Sequence, residues 1–433
     1  MISLADKIAA GEGRVAVVGL GYVGLPLAVS FGMGGWHVVG VDPDTSKVAS
    51  VGRGESYIED VRGEDVAALV EAARLKATPD YDVLGDVDAI VICVPTPLRK
   101  TREPDVSYVH SVAEEVGQRL RKGHLVVLES TTYPGTTREL LLACFEETGL
   151  QVGQDFHLAF SPERVDPGNS RWGIANTPKV VGGITESCTS AAETLYKTIC
   201  ETVHTVSCPE AAEMVKLLEN TYRAVNIGLV NEYAQVCSRL GLDVWEIVEA
   251  AATKPFGFMP FQPGPGIGGH CIPVDPHYLS WKMRALDRPV RFIQLADEVN
   301  RGMPAHVVEG CWKMLDDVGK TLRGSTVLLL GLAYKPGVGD TRESSALDLA
   351  RLMRDDGARV LCWDPHAAPI QLDGEELERV EIDPEILASV DLAVIVTPHE
   401  ELDLAMVLEH CPRVYDTRGV TRHRGGEAVV GRL

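Results

Sequence analysis

The chain has 433 residues, of which 45% are hydrophobic and 24% charged. This length exceeds what one ordinary hydrophobic core supports, so it predicts two or three domains in a globular protein. Lys and Arg number 41 against 62 Asp and Glu, and the resulting formal charge of −21 argues against nucleic acid and anionic membranes as partners.

Targeting signals and metal-binding patterns are also missing from the sequence. The segment Met1–Arg14 is charged and has no long apolar stretch, which argues against an ordinary signal peptide. No run approaches the roughly 18 apolar residues of a membrane span. The ten cysteines are scattered and the twelve histidines show no paired-ligand spacing with them, so we assign no metal site. We expect reduced thiols and a cytoplasmic protein.

The first block, residues 1–205, opens with a short apolar run that leads into glycines, Arg14-Val-Ala-Val-Val-Gly-Leu-Gly-Tyr-Val-Gly24. This order predicts a buried parallel strand, a tight turn and a helix. Further strands are expected at 37–41, 89–94 and 125–128, with helical segments between them. Such alternation is typical of a doubly wound α/β sheet.

The second block, residues 206–320, centres on one long predicted helix from Pro209 to about Leu240. Pro209 suits a first helical position and Gly241 suits the stop. The helix would span roughly 45–50 Å, more than a small domain needs, so it either joins domains or packs against a partner. The alternative is a break near Gly228. The apolar faces of this helix and of the segment after Pro289 predict a two-fold homodimer built on this block.

The third block, residues 321–433, repeats the order of signals seen in the first. Strands are predicted at 325–331, 359–362, 391–396 and 413–415, and Val327–Gly331 echoes Val15–Gly19. We therefore predict an α/β protein with two Rossmann-like doubly wound domains joined by a central helical domain that contains the long helix.

The glycines of the first block form the pattern Gly19-x-Gly21-x-x-Gly24, followed about 20 residues later by Asp42. The first two glycines permit a tight turn and the approach of a pyrophosphate, and the third allows close packing of helix on strand. Asp42 would accept hydrogen bonds from ribose hydroxyls and repel a 2′-phosphate, which favours NAD over NADP. The alternative is a glycine-rich turn with no ligand.

Cys271 ends a glycine-rich loop, Gly264-Pro-Gly-Ile-Gly-Gly-His-Cys-Ile-Pro-Val-Asp275. Its four glycines expose backbone N–H groups, and a helix is expected from Pro276. That position can make Cys271 a nucleophile. A lone cysteine is more often a small buried hydrophobe, which is what we expect for the other nine.

Lys216 and Asn220 lie four residues apart and share one face of the long helix. Asn220, Asn226 and Asn231 fall among apolar residues, where polar groups need partners, and we expect a polar substrate to supply them.

Several stretches of the sequence match the motifs of a known family, in the same order along the chain. The matching stretches are Val17-Val-Gly-Leu-Gly-Tyr-Val-Gly-Leu-Pro26, Cys93-Val-Pro-Thr-Pro97, Glu129-Ser-Thr-Thr-Tyr-Pro-Gly135, Phe160-Ser-Pro-Glu-Arg164, Glu213-Met-Val-Lys-Leu-Leu-Glu-Asn220, the Cys271 loop, Gly331-Leu-Ala-Tyr-Lys335 and Asp340-Thr-Arg-Glu-Ser344. From Val15 to about Val420 the chain resembles the UDP-glucose/GDP-mannose dehydrogenase family, whose members make sugar-nucleotide uronic acids for polysaccharide biosynthesis.

The resemblance implies two successive oxidations of a UDP-sugar C6 alcohol by NAD without release of the aldehyde. Cys271 would form a thiohemiacetal and then a thioester that water cleaves. Lys216 and Asn220 would stabilise the oxyanion, Asp275 would assist proton transfer, and Glu163 and Thr131 would position water.

The resemblance also implies two sets of binding residues. For the cofactor these are Gly19, Gly21, Tyr22, Val23, Gly24, Asp42, Pro95, Thr96, Ser130 and Thr131. For the substrate they are Glu163, Arg164, Lys216, Asn220, Phe261, Gly264, Gly268, Lys335, Arg342 and Arg418, with Arg342 expected at the phosphates.

One departure from the family pattern indicates a branch. Members acting on UDP-glucose or GDP-mannose typically carry Phe/Leu-Pro-Lys-Asp after the cysteine, whereas this chain has Ile272-Pro-Val-Asp275 preceded by Gly-His. That form is similar to the UDP-N-acetyl amino-sugar branch, nearest to UDP-N-acetylglucosamine 6-dehydrogenases, with UDP-N-acetylmannosamine a near rival. The family's partner-supplied Arg has no clear match, and Lys254 is nearest. Alternatives of other classes are a two-electron NAD dehydrogenase or epimerase, which would not need Cys271, and a catalytically silent nucleotide-binding protein.

Overall fold

The computed structural model describes Lys7 and residues 10–99, 103–166, 168–169, 171–269 and 271–433. Most of the segment 1–9 and His270, which carried part of the sequence interpretation, thus lie outside the described residues. The chain divides into two compact units. Unit 1 comprises the residues up to Glu219 together with His277–Arg288, and unit 2 comprises Asn220–Pro276 and Pro289–Leu433. The central block of the sequence is thus shared between the units, and the division at 205 and 320 stays a prediction.

Unit 1 is built on eight strands: β1 (Arg14–Val18), β2 (His37–Val41), β3 (Leu75–Thr78), β4 (Ala89–Ile92), β5 (Leu125–Leu128), β6 (His157–Phe160), β7 (Lys179–Gly183) and β8 (Val203–Thr205). Their order is β3-β2-β1-β4-β5-β6-β7-β8, and β6 and β7 are the antiparallel pair. The helices are α1 (Gly24–Met33), α2 (Thr45–Gly52), α3 (Gly63–Glu71), α4 (Ser107–Arg119), α5 (Ala143–Glu146) and α6 (Glu186–Tyr196), with a 3₁₀ helix at Tyr81–Asp86 and a π-helix at Thr137–Leu142.

The first six strands follow the doubly wound order 3-2-1-4-5-6. In such sheets the ligand crevice lies at the carboxyl ends of the strands where the order reverses, which here is between β1 and β4. Strands β4 and β5 are fully buried, as their continuous apolar sequences predict.

Unit 2 contains β9 (Thr326–Leu330), β10 (Arg359–Trp363), β11 (Gln371–Leu372), β12 (Glu375–Glu376), β13 (Glu378–Arg379), β14 (Leu392–Ile395), β15 (Arg413–Asp416) and β16 (Val429–Arg432). Its helices are α8 (Val244–Ala252), α10 (Arg291–Asp316), α11 (Ser345–Asp355), α12 (Pro384–Ser389) and α13 (Leu404–His410). The helices α7 (Pro209–Leu240) and α9 (Asp275–Arg284) contribute residues to both units.

The six-stranded sheet of unit 2 has the order β13-β10-β9-β14-β15-β16. This is again 3-2-1-4-5-6, so the predicted repeat is confirmed at the level of topology. Both first strands are followed by a glycine with positive φ, 92° at Gly19 and 91° at Gly331. A Cβ added to Gly19 would lie 2.5 Å from the Cys93 carbonyl oxygen, and one added to Gly331 would lie 2.1 Å from the Thr397 carbonyl oxygen. Each turn therefore requires glycine.

Helix α7 is a single helix of 32 residues, so the alternative of a break near Gly228 is wrong. A Cβ at Gly228 would lie 3.2 Å from the Cα of Ala296 on α10. The glycine therefore permits close approach of the two helices instead of ending one. Among the described residues, no helix is both long and apolar enough to cross a membrane.

Candidate active site

The turn between β1 and α1 has the geometry of a dinucleotide-binding loop. A Cβ at Gly24 would lie 1.7 Å from the Gly19 carbonyl oxygen, so this glycine lets the helix start directly against the strand. At Gly21, by contrast, a Cβ would meet no protein atom within 4 Å. Val23 caps α1 without a side-chain hydrogen bond, which leaves backbone N–H groups at the positive end of the helix. The open space at Gly21 and these N–H groups fit a pyrophosphate.

Asp42 follows β2 and is buried. Its carboxylate accepts hydrogen bonds from Leu20 N at 2.8 Å and Asp44 N at 2.9 Å, and lies 3.2 Å from Lys47 Nζ. Within the described residues these donors use three of the roughly four lone-pair positions of a carboxylate. One position therefore stays open for the ribose hydroxyl that the sequence assigns to Asp42.

The other predicted cofactor residues follow strands β4 and β5, on the same edge of the sheet. The Thr96 hydroxyl donates to the Thr131 carbonyl oxygen at 2.6 Å, and the Ser130 hydroxyl donates to the Val94 carbonyl oxygen at 2.7 Å. These bonds tie together the segments that carry Pro95, Thr96, Ser130 and Thr131. Tyr22 and Val23 lie in the glycine turn, and the Tyr22 side chain is 50% exposed.

Glu213, in the first turns of α7, clamps the helix to the segment after β5. Its carboxylate accepts from Gly135 N at 2.6 Å and from both the backbone N–H and the hydroxyl of Thr137. Burial raises the pKa of Glu213, and these bonds offset part of that effect. The contact fixes the helix that carries the buried Lys216 within unit 1. Sequence analysis placed Glu213 in a stretch that matches the family and did not predict this contact.

Glu163 belongs to a mostly buried charged network in unit 1. Its Oε1 accepts from the backbone N–H groups of Arg164 and Val165, both at 2.7 Å, and its Oε2 lies 3.3 Å from Lys179 Nζ. Burial pushes the pKa of Glu163 up, but Lys179, Val165 N, Lys216 and Arg164 N outweigh it and hold the pKa below its ordinary value. The structure therefore favours an ionised carboxylate.

The Arg164 guanidinium is engaged by unit 1 itself. Its Nη2 lies 2.6 Å from Glu219 Oε1, and its Nη1 donates to the Pro178 carbonyl oxygen at 2.5 Å. A substrate contact by Arg164 would have to share these bonds.

Three predicted catalytic residues come together in unit 2. The Asp275 backbone N–H donates to the Cys271 carbonyl oxygen at 2.8 Å, which folds the chain directly into the first turn of α9. The Asp275 carboxylate accepts from Asn220 Nδ2 at 2.5 Å, and both side chains are buried. Cys271 is half-buried. Cys271 and Asp275 thus lie in one short segment, and Asn220 of α7 contacts that segment through the Asp275 carboxylate.

The Cys271 loop packs closely on the segments that carry the predicted basic residues. A Cβ at Gly264 would lie 2.5 Å from Arg418 Nη1, and one at Gly268 would lie 2.7 Å from the Tyr334 Cβ. Gly269 N donates to the Arg342 carbonyl oxygen at 3.0 Å. Gly268 is therefore required for packing against protein, whereas a Cβ at Gly264 would require the Arg418 guanidinium to move; the sequence indicated neither contact. Phe261 packs on the core of unit 2 and meets the Tyr222 ring edge-on at 5.8 Å.

The basic residues of this region are held by their surroundings. Arg342 pairs with Asp340 at 2.6 Å, and Lys335 lies 5.7 Å from the centre of the Tyr334 ring. Arg418 donates through Nε to the Val396 carbonyl oxygen, and burial lowers its pKa to about 10. Together Lys335, Arg342 and Arg418 supply local positive charge on a chain whose formal charge is −21.

We predicted that a polar substrate would supply the hydrogen-bond partners of Asn226 and Asn231. This prediction is wrong, because both side chains have partners in the protein. Asn231 Oδ1 accepts from Gly264 N and its Nδ2 donates to Asn300 Oδ1, both at 2.9 Å, while Asn226 Nδ2 donates to the Tyr222 carbonyl oxygen at 2.7 Å. The partners of Asn231 lie 33 and 69 residues away, so the sequence around it could not show them, whereas the partner of Asn226 lies one helical turn away.

The ten cysteines are free thiols. Seven of the nine predicted to be packing residues are buried, whereas Cys144 and Cys208 are half-buried like Cys271. The structure also gathers His366, His399 and Glu401, whose ligand-type atoms lie within 4.8 Å of one another. His399 already contacts Asp364 at 3.0 Å through Nε2 and accepts from Gly337 N at 3.3 Å through Nδ1. The cluster is thus part of the hydrogen bonding of unit 2.

Three family models match successive parts of the chain. They are the NAD-binding domain, the central domain and the UDP-binding domain of the UDP-glucose/GDP-mannose dehydrogenase family, matched at residues 13–200, 210–302 and 328–423. The chain belongs to the UDP-glucose/GDP-mannose dehydrogenase family. It is an NAD-dependent oxidoreductase, which agrees with the open space at Gly21.

Individual members of the family resemble this dehydrogenase over most of its length. A UDP-N-acetyl-D-glucosamine 6-dehydrogenase from Pseudomonas aeruginosa is 37% identical over 81% of the chain and 82% of the relative. A solved UDP-D-ManNAc dehydrogenase from Pyrococcus horikoshii has a TM-score of 0.88 at 30% identity, covering 97% of this chain and 99% of that one. A UDP-glucose dehydrogenase structure from Pyrobaculum islandicum has a TM-score of 0.85 at 30% identity, covering 97% of both chains.

Proposed function

We propose that the protein is a sugar-nucleotide 6-dehydrogenase that oxidises the C6 alcohol of a UDP-N-acetylhexosamine to the uronic acid, with UDP-N-acetylglucosamine the favoured substrate. The substrate loses four electrons in two oxidations. Each oxidation transfers one hydride to a bound NAD molecule, so two NAD molecules are used. The intermediate is held as a thioester on Cys271.

The observation that carries this proposal is the grouping of Cys271, Asp275 and Asn220. Cys271 is half-buried, ends a glycine loop and lies directly before the amino terminus of α9, so a ligand can reach the thiol. Asp275 is held by Asn220, so the carboxylate four residues after Cys271 has a fixed orientation. A two-electron dehydrogenase or an epimerase does not need the thiol, because neither forms a bond to the enzyme through sulfur.

The chemistry assigned to these residues follows from their types. The Cys271 thiolate adds to the aldehyde carbon, and the second oxidation converts the resulting thiohemiacetal into a thioester. Lys216 and Asn220 donate to the oxyanion that develops at the same carbon. Asp275 takes and returns protons, and Glu163 and Thr131 orient the water that cleaves the thioester. The carbon–sulfur bond breaks, and Cys271 returns as the thiolate.

The substrate class is supported by two features. Lys335, Arg342 and Arg418 supply the positive charge that a diphosphate needs on an otherwise acidic chain. The stretch Ile272-Pro-Val-Asp275 lacks the lysine typical of the UDP-glucose and GDP-mannose branches, and the relatives named for UDP-N-acetyl amino sugars agree with that branch. UDP-N-acetylmannosamine and UDP-glucose are the alternatives.

The test of the proposal is NADH formation with a panel of UDP- and GDP-sugars. We expect the highest kcat/KM with UDP-N-acetylglucosamine. Oxidation of UDP-N-acetylmannosamine or UDP-glucose at a higher kcat/KM would move the assignment to that sugar, and inactivity with every UDP-sugar would refute the UDP-sugar assignment.

We also propose a homodimer built on α7 and α10. On α7 the side chains of Tyr222, Leu229, Tyr233, Val236 and Leu240 are each at least 45% exposed. On α10 Phe292 is 72% exposed and Leu295 is 54% exposed. Large apolar side chains at helical spacing on two neighbouring helices are typical of an interface. Lys254, an exposed residue of unit 2, is the candidate for the basic residue that one subunit supplies to the other.

A further inference from the structure

Lys179 begins strand β7, yet its side chain is only 5% exposed. Its ammonium lies 2.9 Å from Glu129 Oε2 and 3.3 Å from Glu163 Oε2. Glu129 is fully buried, and its Oε1 accepts a short hydrogen bond from the Tyr196 hydroxyl. Burying charged groups is costly unless each one is paired and hydrogen-bonded, as they are here. The contacts therefore form a specific network and not a surface ion pair.

The network fixes the orientation of the Glu163 carboxylate. Backbone N–H groups of Arg164 and Val165 occupy Oε1, and Lys179 approaches Oε2. Among the described residues these donors leave about one of the four lone-pair positions for a further donor such as water. A side chain held at both oxygens cannot turn away from that donor.

The network shifts the pKa values of its two carboxyl groups in different directions. Burial raises the pKa of Glu129, and Lys179 offsets only part of that effect, while Glu163 raises it further. For Glu163, Lys179 and the backbone donors outweigh burial, so its pKa is lowered. The ionisable groups that interact with Glu163 include Lys179, Lys216, Glu129, Cys93 and Cys200. The pKa values of the two carboxyl groups on Lys179 therefore shift in opposite directions, and only the shift of Glu163 favours the ionised form.

We infer that Lys179, supported by Glu129 and Tyr196, is a positioning residue that keeps Glu163 an oriented carboxylate during turnover. The inference rests on the proposed function, which gives Glu163 the task of orienting the water that cleaves the thioester. Lys179 itself need not touch substrate, because it acts through the carboxylate.

The test is a double variant, Glu129→Gln with Lys179→Gln. It removes one negative and one positive charge while keeping groups that can form hydrogen bonds, so folding should survive better than in Lys179→Gln alone, which leaves two buried carboxyl groups facing each other. Without Lys179, burial dominates and the pKa of Glu163 rises. An opposite charge at this distance typically moves a carboxyl pKa by about 1–3 units, and the loss of Glu129 as a neighbouring carboxyl group offsets part of that shift. We expect the acid limb of the kcat profile to move to higher pH by about one unit, with little change in KM.

Two controls separate positioning from general damage. Lys122→Gln removes a lysine of unit 1 that is 61% exposed and paired with Asp155, so its pH profile should match that of the unaltered enzyme. Adding Glu163→Gln to the double variant removes the titrating group, so the profile should lose the shifted limb. A double variant that folds and retains the wild-type acid limb would overturn the inference.

A direct titration distinguishes this inference from the proposed function. In protein labelled with ¹³C at the glutamate carboxyl groups, the resonance lost in Glu163→Gln identifies Glu163 by NMR. We expect it to titrate below the ordinary range for glutamate, about 4.3. This measurement needs no turnover, so it stands even if Cys271 forms no thioester. A Glu163 resonance that titrates at or above the ordinary value would overturn the inference whatever the substrate assays show.

Discussion

The substitution Gly21→Ala tests the cofactor turn with little interference from folding. An added Cβ at Gly21 meets no protein atom within 4 Å, and the residue does not have positive φ. The free energy of unfolding should therefore change by no more than about 0.5 kcal/mol. The methyl group would, however, occupy the space in which we place the pyrophosphate. We expect the Kd for NAD to rise at least about tenfold, which corresponds to about 1.4 kcal/mol.

The assay is calorimetric titration with NAD, together with thermal unfolding in the absence of NAD. Gly52→Ala is the matched control, because its Cβ also meets open space at the end of α2 and its NAD affinity should not change. Gly24→Ala should instead lower the free energy of unfolding by about 1–3 kcal/mol, the usual cost of overpacking. Its Cβ would lie 1.7 Å from the Gly19 carbonyl oxygen. A Gly21→Ala protein that binds NAD within twofold of the unaltered protein would refute the placement of the pyrophosphate.

Three further predictions concern the cofactor, the nucleophile and the assembly. Asp42→Ala should weaken NAD binding and relax the preference over NADP, and equal kcat/KM with both cofactors before mutation would show that Asp42 does not select. Cys271→Ser should bind NAD normally but fail in the second oxidation, because an alcohol is a far weaker nucleophile than a thiolate near neutral pH; acid formation at near wild-type rate would exclude the thioester. Leu229→Asp places a charge on a side chain that is 52% exposed on α7, so it should convert a dimer into monomers with little change in thermal stability of the monomer. Light scattering at micromolar concentration checks this, and a monomer before mutation would contradict the proposed dimer.

The sequence predicted the parts of the fold that local signals specify. The stretch from Arg14 to Gly24 predicted the strand, turn and helix that the structure has, because glycines directly follow its apolar residues. The end of α7 was also correctly predicted, since Gly241 adopts a φ of 69°, as the residue after a helix often does. The repeat between the two sheets could be predicted from the sequence because the first strand of each sheet is followed by the same kind of glycine turn.

Features that depend on distant contacts could not be predicted. Strand β7 was missed because Lys179 opens it, and a lysine does not indicate a buried strand. Its partners Glu129 and Glu163 lie 50 and 16 residues away, so nothing local announces the network. The division of the central block between two units likewise depends on packing, since α7 continues through the boundary at Glu219 without a break. The short apolar stretch that follows Lys179 was the signal that could have indicated the strand, although not the network.

The stoichiometry of the reaction tests the central claim most directly. Limiting UDP-N-acetylglucosamine, or the UDP-sugar that the panel selects, is converted to completion with excess NAD, and NADH and sugar products are counted. Because Cys271 retains the intermediate until the second oxidation, we predict two NADH per sugar nucleotide and a uronic acid with no free aldehyde. One NADH per sugar nucleotide with an aldehyde product would contradict the account.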